Sequence, residues 1–262
     1  MNHDLDNKYK KDVLRLAIFL GELMLSSGAE TYRVEDSVVR ICRSRGFYHV
    51  SVFTTPTVII IADDRFDGYS FMKVIRNRSI NLKKIDLLNT FCRKFVNETD
   101  LSTLDAIREL KNLDDDSTYP SYIVNIATAI GSSSFAALVG GDNVTTFILT
   151  LITSVIAMMT FNKILKISQI STFATLIASN IIALAGVALT ELGILQSPTM
   201  LIVGSIMPLL PGVPFITAIR DLISGELLSG ITRAFEAGIT ATSIAAGVGV
   251  VINIYAKAGG IL

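Results

Sequence analysis

The sequence predicts an α-helical integral membrane protein of about five spans with an N-terminal cytosolic α+β domain. The chain of 262 residues is 50% apolar, and its mean hydropathy of +0.54 is too high for an ordinary soluble domain. Charge is unevenly placed: residues 1–118 carry 18 basic and 18 acidic side chains, and residues 119–262 carry 5 of each. The third observation is a change of period along the chain, from amphipathic helical and alternating stretches to long apolar runs. Each part is neutral overall, so the basic field that nucleic-acid binding requires is missing, and nucleic acid is excluded as a partner. Cys42 and Cys92 lack metal-ligand spacing and read as half-buried thiols, not as a disulfide framework or zinc site.

Within residues 1–118, Met1–Lys11 mixes acids and lysines and is followed by an apolar run, Val13–Leu25, interrupted by Arg15 and Glu22. This is unlike a secretory signal and reads as an amphipathic helix ended by Gly28, which can supply a left-handed cap. A second helix is expected over about 31–44, closed by Gly46. Between Phe47 and Arg76 the β-branched and aromatic runs around Pro56, with the turn DDRFDG, predict strands at about 47–54, 57–62 and 68–76. Helical spacing returns at 82–97 and 101–113, giving an ααβββαα order able to bury one core. Asp114–Pro120 reads as a polar hinge.

Residues 119–262 are expected to form the membrane domain. A hydrocarbon core of about 30 Å calls for roughly 20 apolar residues per helix, and the candidates are 121–140, 144–161, 171–190, 198–210 and 234–255. Gly141-Asp142-Asn143 would make the first two an antiparallel hairpin, and Asn162–Gln169 would separate the second from the third. With the N-terminus cytoplasmic, Lys163, Lys166, Arg220 and Arg233 fall inside, the outer loops hold Asp142 and Glu191, and only Lys257 lies outside, as the positive-inside rule demands.

The fourth span runs into Pro208-Leu-Leu-Pro211-Gly212-Val-Pro214, which cannot continue a regular helix. Two readings stand. Broken backbone at membrane depth can build a ligand site where a cavity receives its polar groups, with Pro214 opening a helix whose positive N-terminus suits a carboxylate; or the segment is a loop at the inner surface. Arg220, Asp221, Gly225, Gly230, Arg233 and Glu236 follow it, with Arg233 and Glu236 spaced to pair on one helix face. These are either functional charges entering the membrane or solvated, snorkelling groups, and Phe215–Ile223 has an apolar side suited to lying in the interface. The hydroxyls within the spans read as helix-packing groups. Asn125 and Asn180 are better candidates for a polar path.

An enzyme is not expected. The histidines are His3 and His49, and neither has an orienting partner in sequence. Neither GxxxxGK[ST] nor GxGxxG occurs, so no nucleotide cofactor is implied.

The stretches LGELMLSSGAETYRVEDSVVRI, TTPTVIII and, above all, PLLPGVPFITAIRDLISGELLSGITRAFEA resemble the threonine/serine exporter family of bacterial inner-membrane proteins. The resemblance implies a cytoplasmic N-terminal domain, multi-pass insertion and a small-molecule substrate. Full-length members carry about ten spans, so this chain resembles the larger component of the split form, completed by a small membrane partner subunit. Members of the split form are linked to dicarboxylate as well as threonine and serine export. The expected activity is therefore secondary export, threonine/serine first and a dicarboxylate such as succinate second, with lipid contact and self-association as further partnerships. In the expected mechanism, the Pro211–Pro214 kink and helix N-terminus hold the substrate carboxylate. Arg220 or Arg233 adds charge, and Asp221 or Glu236 carries the coupling proton. The rival class is a membrane-anchored sensor or scaffold.

Overall fold

The computed structural model describes residues 2–63, 69–98, 101–116, 119–140 and 144–259, with side chains left undescribed at 2–7 and 115–116. Most of the DDRFDG turn and the Gly141–Asn143 connection lie outside the described residues. The chain divides into two compact units, residues 1–118 with 213–235, and residues 119–212 with 236–262.

The first unit opens with α1 (Asn2–Ser26) and α2 (Thr31–Ser44), followed by β1 (Val50–Thr55), β2 (Val58–Asp63) and β3 (Ser70–Val74), then α3 (Leu82–Asn97) and α4 (Thr103–Asp116). The strands form an antiparallel meander in the order β1-β2-β3, with Thr55 opposite Val58 across a two-residue turn at Pro56-Thr57. Strand alternation buries Ile59, Ile61 and Asp63 on one face. Ile59 packs where Gly21 of α1 leaves no room for a Cβ. Asp63 pairs there with Lys10, so the charge at the edge of the core is compensated. Leu14, Leu16, Leu20 and Met24 of α1 join Ile41, Leu88, Phe95 and Leu110 in one core, each such side chain contributing about 1.5–3 kcal/mol relative to exposure. Arg45 closes the end of α3, donating to the carbonyls of Phe95 at 3.2 Å and Glu98 at 2.8 Å.

The same unit contains α9 (Gly212–Ile223), from Val213 onward, and the first turns of α10 (Leu227–Lys257). They make a helical hairpin. Gly225 adopts φ +90°, and the amides of Gly225 and Glu226 reach back to the carbonyls of Leu222 (3.2 Å) and Asp221 (2.9 Å), a Schellman ending. The two helices touch at Gly230, where a Cβ would lie 2.5 Å from Leu222 Cγ.

The second unit comprises α5 (Ser121–Val139), α6 (Val144–Ser168), α7 (Ser171–Glu191), α8 (Thr199–Ile206), a 3₁₀ turn (Met207–Leu209) and α10 beyond Phe235. Its side chains are distributed contrary to a water-soluble protein. Ala129, Ser132, Ser133, Ala136, Thr150, Thr153, Ser154 and Ala157 are buried, whereas Ile126, Ile130, Leu138, Ile148, Ile152, Ile156 and Leu184 face outward. Small residues at the contacts let helix backbones approach closely: a Cβ on Gly204 would lie 2.6 Å from that of Ala136 and 2.9 Å from the Ser132 carbonyl. Among the described residues, four helices are long and apolar enough to cross a membrane, α5, α6, α7 and α10, and α8 with α9 makes a fifth if that broken pair is one span.

Several limits differ from the sequence reading. The stretch Asn162–Gln169 is mostly helix: α6 continues through Lys163 and Lys166 to Ser168, because long cationic side chains extend from a helix end toward water without breaking it. The break comes at Gln169, whose φ is +56°. Helix α10 begins at Leu227 rather than Ala234, since Gly225 supplies the turn and no breaker follows. The segment 198–210 is helical only through Leu209, where the prolines intervene. Asp114–Asp116 completes α4 rather than opening a hinge.

Candidate functional site

Two glycine turns of the first unit meet. At the first, α1 ends in a Schellman motif: Gly28 has φ +88°, and the amides of Gly28 and Ala29 bond the carbonyls of Leu25 and Met24, both at 3.0 Å. The chain then enters α2 at Glu30, whose side chain does not cap its own helix. The first helical amide, Thr31 N–H, instead donates to Asp221 Oδ1 at 3.1 Å, an acceptor supplied from 190 residues away. A carboxylate there satisfies an orphan amide and lies at the positive end of the α2 dipole.

Arg233, on α10, completes the clasp. Its Nε is 3.1 Å from Asp221 Oδ2, and its Nη2 donates to the Ala29 carbonyl at 2.7 Å. Asp221 is fully buried and Arg233 nearly so, at 0% and 8% exposure. Arg220, the neighbour of Asp221, points to another helix face and donates to Glu30 Oε1 at 2.8 Å, while Arg33 Nε approaches Glu30 Oε2 at 3.3 Å. Burial raises the Glu30 pKa, but its backbone amide and the Arg220 and Arg33 guanidiniums outweigh that and hold the carboxyl below its ordinary value. Thr31 Oγ1 and Ser229 Oγ are buried beside this network without hydrogen-bond partners. Ser229 shares the Arg233 face of α10 by its four-residue spacing.

The structure therefore joins Arg220, Asp221 and Arg233 to Ala29, Glu30 and Thr31. Gly225 and Gly230 shape the hairpin that carries them. Pro211 precedes α9, and Gly212 opens it with its amide on the Leu210 carbonyl at 2.9 Å. Pro214 is the third helical residue rather than the first, a position that still needs no intrahelical donor. Glu236 lies further along α10, half-buried, and belongs with the second unit. In that unit Asn125 Oδ1 accepts from Asn162 Nδ2 at 3.4 Å, and Asn180 is half-buried where Gly247 of α10 approaches α7.

Sequence reasoning missed Glu30, Thr31 and Glu226. Burial first, then the Glu35 and Asp221 carboxylates, push the Glu226 pKa up. A local signal for Thr31 did exist, a helix start without a Ser, Thr, Asp or Asn at its N-cap. Among the described residues no group of three His, Cys, Asp or Glu side chains converges as a metal site would require.

Apolar helices long enough to span, with small and hydroxyl residues turned inward, describe a multi-pass membrane protein. A family model for threonine/serine exporters, ThrE, matches residues 15–255, and the chain belongs to that family. It is 24% identical over 259 residues to a protein of Mycobacterium tuberculosis named "Probable threonine/serine exporter", covering 93% of this chain but 46% of that protein. It is 23% identical to the "Probable succinate transporter subunit YjjP" of Escherichia coli K12, covering 97% of this chain and 99% of that one. The Klebsiella aerogenes protein of the same name is 22% identical, covering 97% and 98%. No solved structure matches.

Proposed function

We propose that the chain is the larger component of a two-part secondary exporter in the bacterial inner membrane, working with a small membrane partner subunit. Residues 1–118 form its cytosolic α+β domain, with the N-terminus cytoplasmic, and residues 119–262 its membrane domain. Family membership across 15–255 carries the transport reading, and coverage of less than half of the mycobacterial exporter supports a missing second component. Threonine and serine are the first substrate class. Succinate or a related dicarboxylate is the second, favoured by full-length coverage of the two YjjP proteins.

In this mechanism, the Pro211–Pro214 break and Gly212 give α9 freedom to tilt, Asn125 and Asn180 offer polar atoms along the spans, and the substrate carboxylate meets the α9 N-terminus. Arg220, Asp221 and Arg233 hold the α9–α10 hairpin to the α1–α2 turn, and Glu236 or Asp221 takes the coupling proton when that hold is released. The test is efflux of labelled threonine and of labelled succinate from proteoliposomes under an imposed proton gradient, with the chain alone and with its partner. Efflux only with the partner is expected. Absence of flux for both labels with both subunits inserted refutes the reading. Asp221→Asn is expected to remain in the membrane and lose efflux; undiminished efflux would remove Asp221 from the mechanism.

A further inference from the structure

The export reading leaves unused a cleft between α2 and α3 in the first unit. Along α2, Arg33, Ser37 and Arg40 follow one face, and along α3, Asn89, Arg93 and Asn97 do the same. The two polar ridges enclose about 340 Å³, within the range of small-molecule sites. Cys92 forms part of the floor, donating to the Ser37 carbonyl at 3.7 Å. Burial pushes its thiol up, so the floor adds no negative charge at neutral pH.

The rim carries surplus positive charge. Asp36, the lining carboxylate, is taken by Arg40 at 2.8 Å. Arg33 shares Glu30 with Arg220. Arg93 donates to the neutral Thr90 hydroxyl at 2.9 Å and has no carboxylate partner among the described residues. Guanidiniums bind oxyanions through two parallel N–H donors, and side-chain amides supply further donors.

We propose that this cleft binds a small soluble oxyanion of two or more negative charges, a phosphate ester or polycarboxylate metabolite, held by Arg93 and Arg33 with the Asn89 and Asn97 amides. The site is wired to the clasp. Glu30 divides its two oxygens between Arg33 and Arg220, so an anion that draws Arg33 into the cleft leaves Glu30 to Arg220 and tightens the hold on the hairpin. The ligand is thus an effector whose binding site is separate from the export path, and the proposal stands independently of which substrate is exported.

The test follows thermal unfolding of the purified full chain by circular dichroism, since the sequence contains no Trp, titrating pyrophosphate at constant ionic strength. A saturable rise in Tm is expected. It should vanish in Arg93→Gln, weaken about tenfold in apparent affinity in Arg33→Gln, and persist in Lys94→Gln, whose side chain pairs with Glu109 instead. Arg93→Lys, which keeps the charge and loses the fork, should fall between. No saturable rise, or an equal rise in Arg93→Gln, overturns the proposal. Repeating the titration in micelles doped with phosphatidylglycerol separates the two sources of phosphate: an unchanged midpoint supports a soluble ligand, and displacement reassigns the cleft to a lipid headgroup and overturns the effector reading.

Discussion

Replacing Asp221 by Asn removes one charge from the buried clasp and little else. The amide oxygen can still accept from Thr31 N–H, and Arg233 keeps the Ala29 carbonyl. What is lost is the attraction across 3.1 Å, about 5 kcal/mol at an effective dielectric of 20, set against the desolvation that a charged Asp221 no longer suffers. Breaking a buried pair by removing one partner costs about 3–5 kcal/mol, because the surviving charge stays buried without compensation. With two hydrogen bonds retained, the lower end applies, about 3 kcal/mol, or roughly two orders of magnitude in a local opening equilibrium. Hydrogen exchange of the Ala29–Val34 segment in the full chain reads this directly, since the Thr31 amide is the one Asp221 covers. Exchange there should accelerate about 100-fold in Asp221→Asn while the amides of Ile59 and Ile61 in β2 keep their rates. Adding Arg233→Gln should recover most of the loss, because the double variant buries no orphan charge. Unchanged exchange in the single variant, with the chain folded, would refute the claim that this pair fastens the hairpin to the turn.

Three further outcomes are expected. Because Glu30 is held below its ordinary pKa, it stabilises the fold above its unfolded value, and that contribution disappears as pH falls through the folded value. In Arg220→Gln the folded value rises toward the unfolded one, so the acid-induced drop in Tm should be smaller and complete at higher pH within the range of about 3–5; coincident profiles would argue against the Glu30–Arg220 contact. Gly204→Ala should cost about 1–3 kcal/mol by overpacking, seen as a lower Tm in detergent, since its Cβ would press on Ala136 and the Ser132 carbonyl; an unchanged Tm would contradict the close approach of α8 to α5. Cys42, fully buried with its thiol pushed up to about 12 by burial, should react with N-ethylmaleimide only at the rate of unfolding, and rapid labelling of the native chain would contradict its placement.

Local chemistry was legible where a short stretch of chain decides the outcome. The caps at Gly28 and Gly46, the Pro56 turn and the span of α3 follow from residues within a few positions of one another. The change in charge density gives no sign that Val213–Phe235 packs with the first 118 residues. That segment is apolar enough to read as span and connection, and three of its polar side chains, Arg220, Asp221 and Arg233, bond residues of the first 118. Their spacing suggested pairing along one helix, Arg233 with Glu236. Their partners include Ala29, Glu30 and Thr31, placed by the fold far along the sequence, and no periodicity reports a contact of that range. The mild cue was negative, an uncapped start to α2.

A helix finished by a residue 190 positions downstream also constrains the order in which the chain can be completed. At about 5–20 residues per second, some 10–40 s separate synthesis of Thr31 from synthesis of Asp221. During that interval α5 through α8 are made, while the beginning of α2 waits with its first amide uncovered. The core from Val13 to Leu110 needs nothing from the hairpin, so what arrives late is the fastening of the α1–α2 turn and not the packing beneath it. A truncation ending at residue 118 would keep that core and lack only the bonds that Arg220, Asp221 and Arg233 make to Glu30, Thr31 and Ala29.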